Sequence, residues 1–355
     1  MVRRSSGLTA RLGLMLGAAF GICFLTGVLS HYIQHPPGWF RWPSRPVQLY
    51  RITQGVHVAT GLACFPLLTA KVWSVYPKLF ARPPVRGVLH GLERLSIALL
   101  SGAALFELVT GLLNIAYWYG AMPFGFIGAH YWTAWLAIGA LLLHVAVKLP
   151  VARQPVPAPD KAGRRSVLVL AAVTVGVITL AFLGQTVRPL RRVALLAPRL
   201  PDVGPQGLPV NKTASAAGVT RVDDGYRLTV VGPDARHALT LADLDQLPQY
   251  TVSLPISCVE GWSASAEWTG VRVADLLKMV GGNGRVRVDS LQRTPGYGSS
   301  ILEPGQARDP LTLLALRVGG EPLHLDHGYP CRLIAPNRPG ALQTKWVSGL
   351  TVMST

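Results

Sequence analysis

The sequence predicts an all-α membrane bundle of five spans followed by a soluble α+β domain rich in strands. Three observations carry this reading. Half of the 355 residues are hydrophobic and only 14% are charged, too apolar a mixture for an ordinary soluble chain, yet the long apolar runs stop near Gln185. Up to that residue there are sixteen Lys or Arg against three acids, Glu93, Glu107 and Asp160; beyond it there are eighteen against fourteen, so most of the +17 net charge belongs to the apolar part. Past Gln185 the chain changes to short segments of strand and helix character separated by turn residues.

The spans are read at about Leu12–Ile33, Ile52–Trp73, Val88–Asn114, Phe126–Lys148 and Ser166–Gly184, each near the ~20 apolar residues that cross a bilayer. The first lacks a small-residue cleavage site and reads as an anchor instead of a removable signal. With the N-terminus in the cytoplasm, twelve basic residues fall inside (Arg3, Arg4, Arg11, Lys71, Lys78, Arg82, Arg86, Lys148, Arg153, Lys161, Arg164 and Arg165) and three outside (Arg41, Arg45 and Arg51). That asymmetry fixes the orientation, and an odd number of spans delivers residues from about 186 onward to the extracytoplasmic face. The cations flank apolar runs and form no stripe with interleaved aromatics, so they point to membrane lipid and exclude nucleic acid. The expected organisation is a four-span domain over 1–148, a cytoplasmic linker over 149–165, the fifth span over 166–185, a Pro- and Arg-rich tether over 186–210 and the soluble domain over 211–355.

Four histidines, His57, His90, His130 and His144, lie within the spans, where ionisable groups are expensive and are usually kept for function. His130 and His144 are fourteen residues apart, which places them on one helix face about 21 Å apart in depth. In the proposed topology His57 lies at the depth of His130, near the outer end, and His90 at the depth of His144, near the inner end. Two bis-histidine pairs result, an outer His57–His130 and an inner His90–His144, each able to hold one haem b with no open iron position, which suits electron transfer. Taken singly, each histidine is equally well read as a helix-end or carbonyl-bonding group. Through these histidines the region resembles membrane di-haem cytochrome b subunits that exchange electrons between quinones and exported enzymes.

In the soluble part, Tyr226–Val231, Tyr250–Leu254 and Arg285–Asp289 read as strands, and Leu241–Leu247 and Val273–Val280 as short helices. The chemistry concentrates in two motifs. Pro255-Ile256-Ser257-Cys258-Val259-Glu260-Gly261-Trp262-Ser263 holds one cysteine among turn residues; by itself Cys258 is a core thiol, half of a disulfide, or a metal or catalytic thiolate. The second motif runs from His327 to Val347 and offers Arg332 and Lys345 beside glycines, hydroxyls and amides, the equipment for gripping phosphate.

Together, Cys-Val-Glu-Gly-Trp-Ser and Gly-Tyr-Pro-x-Arg-Leu-Ile-x-Pro with Lys-Trp-Val after it resemble the sulfite oxidase superfamily of molybdopterin oxidoreductases, over residues 205–355. Within it, the periplasmic methionine sulfoxide reductase catalytic subunits are most similar. The resemblance implies a sulfite-oxidase-like α+β domain binding Mo-molybdopterin, with Cys258 as the protein thiolate on molybdenum. It further implies cofactor contacts from Asn211, Ser290, His327 and Arg332, and a phosphate-binding run of Gln343, Thr344 and Lys345. Glu260 follows the cysteine closely enough to relay protons, and Cys331 carries no implied role. Gly163-Arg164-Arg165-Ser166-Val167-Leu168 resembles a twin-arginine export signal, the route a cofactor-loaded folded domain needs. The resulting expectation is a bacterial multi-pass membrane enzyme passing electrons among the quinone pool, two haems b and an extracytoplasmic molybdenum site. Its substrate is expected to be a small-molecule or protein-bound S-oxide or N-oxide, reduced by the enzyme. A quinone-linked sulfite dehydrogenase is the alternative, and an electron-relay cytochrome b with a non-catalytic outer domain is a third reading.

Overall fold

In a computed structural model the described residues are 6–80, 85–152, 161–197 and 199–353. Of the basic residues counted above, Arg3, Arg4, Arg82 and Arg153 lie outside them, as does most of the expected linker. Two compact units emerge, one formed by residues 1–31 and 54–198, the other by 32–53 and 199–355.

The first unit is built on long helices, α1 (Ser6–Gln34), α2 (Leu49–Leu79), α3 (Val88–Ile115), α4 (Phe126–Ala152) and α5 (Lys161–Leu183), except that the last three residues of α1 and the first five of α2 fall in the second unit. All five are long and apolar enough to cross a membrane, at the places the hydropathy pattern predicts. Many of their large apolar side chains, such as Leu14, Leu25, Leu105, Leu142 and Leu170, are exposed, as expected of helices solvated by lipid chains. Val58 and Leu62 of α2 meet Ile115 of α3 and Ile178, Phe182 and Leu183 of α5. Phe24 of α1 and Trp135 of α4 meet edge to face at 4.9 Å.

The second unit is built on two sheets. Strands β1 (Leu228–Val231), β2 (Arg236–Leu239), β3 (Gln249–Ser257), β4 (Ser263–Arg272), β5 (Val286–Ser290), β6 (Ser299–Leu302), β7 (Leu313–Val318), β8 (Glu321–Pro322), β9 (Arg332–Ile334) and β10 (Val347–Val352) alternate with α6 (Leu241–Gln246), α7 (Val273–Lys278) and α8 (Pro304–Ala307). One sheet has the order β2-β1-β10-β5-β6, and the other β3-β4-β7-β8 with β9 on β7. Only the β1–β10 pair is parallel among the strand pairs described. Helix α6 starts on a capping box in which the Thr240 hydroxyl accepts from the Asp243 N–H and the Asp243 carboxylate accepts from the Thr240 N–H. The main core packs Leu228, Val230, Val288 and Leu350 of the first sheet with Leu314, Leu316 and Leu333 of the second. A second core surrounds Trp268 and takes in Leu254, Ile256, Cys258 and Trp262. At the bulge between Thr269 and Gly270 the backbone of β7 comes so close that a Cβ on Gly270 would stand 2.1 Å from the Leu314 carbonyl oxygen.

Residues 32–53 belong to this second unit, although they precede it by some 150 residues. No hydropathy or motif signal marks them as part of a β-rich domain.

Candidate functional site

The long hairpin of β3 and β4 places Cys258. Its last cross-strand pair is Ser257 with Ser263, so Cys258 to Trp262 form the connecting turn. The turn closes through a bond from the Cys258 N–H to the Trp262 carbonyl (2.9 Å) and needs the left-handed backbone of Gly261 (φ 91°). Cys258 is buried, and Asn211 donates from Nδ2 to its Sγ at 3.2 Å. Burial pushes the thiol upward and the Glu260 charge adds to it, while the backbone N–H groups of Glu260 and Val259 oppose the shift. A thiol so placed ionises only when a cation stands beside it, which is the condition of a metal ligand.

Glu260 lies in the same turn, almost wholly buried. One carboxylate oxygen accepts from the Trp262 indole N–H at 2.8 Å, and the other is buried with no partner. Burial raises this carboxyl to about 7, against the opposing effects of the Trp262 bond and the Arg199 charge. It therefore holds a proton that it can give up near neutral pH.

The C-terminal motif converges on the same turn. The bridge between Ser257 and Pro339 ties the loop after β9 to the end of β3. Arg332 is buried with its Nε unpartnered, bonds the His327 carbonyl through Nη1 at 3.3 Å, and stands 5.4 Å from the Trp268 ring centre. Lys345 donates to the carbonyls of Lys212 (2.8 Å) and Asp326 (2.6 Å). Burial lowers Arg332 to about 9, and burial together with the Arg332 charge holds Lys345 well below its ordinary value. Neither has a carboxylate at ion-pair distance among the described residues. A buried guanidinium and a half-buried ammonium so disposed would be favoured by an anion bound beside them.

The remaining residues named from the motifs divide into two kinds. Asn211 Oδ1 and Gln343 Oε1 are buried and unpartnered, aimed at no protein group. Ser290, His327 and Thr344 are already engaged: the Ser290 hydroxyl donates to the Lys345 carbonyl (2.7 Å), His327 Nε2 donates to the Pro205 carbonyl (2.7 Å), and Thr344 shares a hydroxyl bond with Ser300 (2.7 Å). Their role in the geometry is to hold Lys345 and its neighbours in place. Burial lowers His327 to about 4, so it is neutral. The four orphaned polar atoms on Asn211, Glu260, Arg332 and Gln343, the two unpaired cations and the single thiol fit an anionic cofactor that presents a soft metal to Cys258.

All four cysteines are free thiols. Cys331 sits in the main core with its sulfur 3.1 Å from the Tyr226 hydroxyl. Sequence reasoning missed two residues near Cys258. Tyr297, an exposed residue, has its phenol pushed up by partial desolvation and by the Cys258 charge, and holds a left-handed backbone (φ 58°) that is costly for tyrosine. The signal available was the flanking pair in Gly296-Tyr297-Gly298. Arg199 comes from the tether, where its composition gave no hint, and its charge is felt by both Cys258 and Glu260.

In the helical unit the outer pair is the better prepared. His57 Nδ1 bonds the Cys23 carbonyl at 2.8 Å, and its ring lies so close to α1 that a Cβ on Gly27 would stand 2.8 Å from Cε1. His130 Nδ1 is 3.1 Å from Glu107 Oε2 and 3.0 Å from the Thr110 hydroxyl. Both rings are thus held through Nδ1, so Nε2 is the nitrogen that either ring could offer to a metal. His90 differs, since its Nδ1 accepts from the Arg86 N–H at 3.2 Å and Nε2 then carries the hydrogen. His144 has no hydrogen-bond partner among the described residues, and nearby Glu93 is paired with Lys148.

Residues 216–355 match the family model for the oxidoreductase molybdopterin binding domain. The mitochondrial sulfite oxidase of Rattus norvegicus is 31% identical over 178 residues, 41% of this chain and 32% of its own length. A protein of Azospira oryzae named as a protein-methionine-sulfoxide reductase subunit, YedZ1, is 33% identical over 131 residues, 37% of this chain and 50% of its own length. Among solved structures, the sulfane dehydrogenase SoxCD of Paracoccus pantotrophus aligns with a TM-score of 0.39 at 21% identity, covering 44% of this chain and 46% of that one. The chain spans no more than half the length of these curated relatives. Residues 216–355 therefore match a molybdopterin-binding oxidoreductase domain and are similar in sequence to sulfite oxidases, on a chain with five apolar helices of membrane-spanning length.

Proposed function

We propose that the chain is a membrane-bound oxidoreductase linking the quinone pool to an oxygen-atom-transfer site outside the cytoplasm, with Mo-molybdopterin and two haems b as its cofactors. The observation that carries the reading is one buried thiol, Cys258, in the same domain as the buried cation Arg332 and the half-buried cation Lys345, neither with a carboxylate at ion-pair distance among the described residues. Molybdenum on a pterin dithiolene supplies oxygen-atom transfer when bound. Cys258 would hold the metal; Arg332, Lys345 and Gln343 would hold the pterin phosphate; and Asn211 would orient the sulfur. Haem b supplies single-electron exchange when bound, and His57 and His130, each held through Nδ1, would be the ligands of one.

The direction favoured is reduction of an S-oxide or N-oxide such as methionine sulfoxide. One quinol gives two electrons and two protons on becoming quinone; the S=O bond breaks, and oxygen leaves as water with two electrons and two protons taken up. Glu260, raised to about 7 by burial and lying in the same turn as Cys258, would supply a proton to the departing oxygen. Arg199, which reaches the same turn from the tether, supports the second reading, oxidation of a sulfite-like anion with quinone as acceptor.

The test is metal and haem content of detergent-purified protein with turnover in both directions. About one molybdenum and two haems b per chain, with quinol-dependent reduction of methionine sulfoxide, supports the first reading. Sulfite-dependent quinone reduction without sulfoxide turnover replaces it with the second, and haem without molybdenum replaces both with an electron relay.

A further inference from the structure

The loop between the first two long helices is part of the oxidoreductase domain. Three bonds converge on one side chain and its carbonyl: Asn337 Nδ2 donates to the Pro43 carbonyl (2.7 Å), Asn337 Oδ1 accepts from the Tyr50 N–H (2.7 Å), and the Asn337 carbonyl accepts from the Trp42 indole N–H (2.8 Å). Asn337 is buried, with the left-handed backbone (φ 52°) that asparagine tolerates. Around it, Arg45 grips buried Asp309 through two bonds of 3.0 Å, and Val47 packs on the core that holds Cys258.

The bond to Tyr50 has a particular geometry. Tyr50 is the second residue of α2, and a first-turn N–H has no acceptor within its own helix. Asn337 supplies that acceptor from elsewhere in the chain. Seven residues further along α2 stands His57. On the other side of Asn337 the chain passes through Arg338 to Pro339, which bridges Ser257 next to Cys258, and then to the run Gln343–Lys345. Within the second unit, one residue thus joins residues 42–50 to the loop that abuts the Cys258 turn.

We propose that residues 38–53 form a strap built into the oxidoreductase domain, and that Asn337 is the positioning residue through which this strap sets electron delivery to the Cys258 site. The electron part rests on the function proposed above; the strap itself does not.

Full-length protein in detergent, compared as wild type, Asn337→Gly and Asn337→Asp, tests it. Glycine accepts the backbone angle without the amide, whereas aspartate keeps the acceptor for the Tyr50 N–H. The readouts are hydrogen exchange over residues 41–53, molybdenum content, and S-oxide turnover with either reduced viologen dye or quinol as electron donor. In Asn337→Gly the strap amides are expected to exchange roughly tenfold faster. Molybdenum and dye-linked turnover should stay near wild type while quinol-linked turnover falls roughly tenfold or more. Asn337→Asp should restore both the protection and most of the quinol-linked rate. Unchanged exchange in Asn337→Gly overturns the strap, and equal loss of dye-linked and quinol-linked turnover overturns the positioning role. Wild type without either turnover would fail the proposed function alone, and hydrogen exchange would then decide the strap by itself.

Discussion

The oxidoreductase domain and the helical unit bury polar side chains in different ways. Around Cys258 they arrive from segments far apart in sequence: Asn211 and Arg199 from before the first strand, Glu260 from a hairpin turn, Arg332 from β9 and Lys345 from the approach to β10. In the helical unit they come in pairs one or two turns apart or on adjacent helices, as with Thr110 and Glu107 on α3 facing His130 on α4. A helix offers a fixed repeat along which functional residues can be counted, whereas a sheet-based domain assembles its site from loops whose meeting depends on the whole fold. The two sites should therefore fail differently. On the proposed function, loss of one group at the Cys258 turn should remove chemistry without unfolding the domain, and loss of a group behind a histidine should loosen one haem.

The largest effect is expected from Cys258→Ala, which should abolish turnover and lower molybdenum content while haem absorbance stays unchanged; retained activity would remove the thiolate from its assigned place. Glu260→Gln comes next, with turnover down about 10²–10⁴-fold at unchanged molybdenum content, since it cannot deliver a proton. In the helical unit, Glu107→Gln should weaken retention of one haem by about 10–100-fold, read by haem content after dilution, and leave dye-linked turnover as it was. His130→Ala should remove about one haem per chain outright.

The smallest effect concerns pH. His327 is neutral in the folded domain with its value lowered to about 4 from 6.5 by burial. The unfolded chain therefore takes up this proton first as pH falls. The stability associated with neutral His327 is complete above about 6.5 and is lost as pH falls through about 4. A thermal midpoint that declines over that window, and a flatter decline in His327→Gln, is the expected record; identical profiles would assign the acid sensitivity to other groups.

How much of this was legible beforehand follows the same division. The five helices were readable because lipid demands long apolar runs, and the strands at Tyr226–Val231, Tyr250–Leu254 and Arg285–Asp289 fall on or within two residues of β1, β3 and β5. Cys258, Glu260, Arg332 and Lys345 were named from two compact motifs, which the Ser257–Pro339 bridge ties together. Tyr297 and Arg199 were not, because a tyrosine between glycines and an arginine in a proline-rich tether look like ordinary turn and linker residues. The roles of Ser290 and Thr344 also needed coordinates: a hydroxyl facing the Lys345 carbonyl and one facing Ser300 have the same one-letter code as a hydroxyl facing a ligand. His90 was read by depth alone, which carries no information on which ring nitrogen is engaged.

The strap makes the oxidoreductase domain discontinuous in sequence, with four helices inserted between its two pieces. The contacts that join them, Trp42 and Pro43 with Asn337 and Arg45 with Asp309, close loops of 295, 294 and 264 residues. Closure entropy grows only as the logarithm of such a length, so the insertion itself is cheap. Its order of assembly is another matter, because the first piece is synthesised long before the second exists and waits unpaired until Asn337 arrives. A fragment beginning at Arg199 would fold around buried amide and carbonyl groups of Asn337 that have lost Tyr50, Pro43 and Trp42, so the smallest complete form of this domain includes residues that a boundary drawn along the chain would discard.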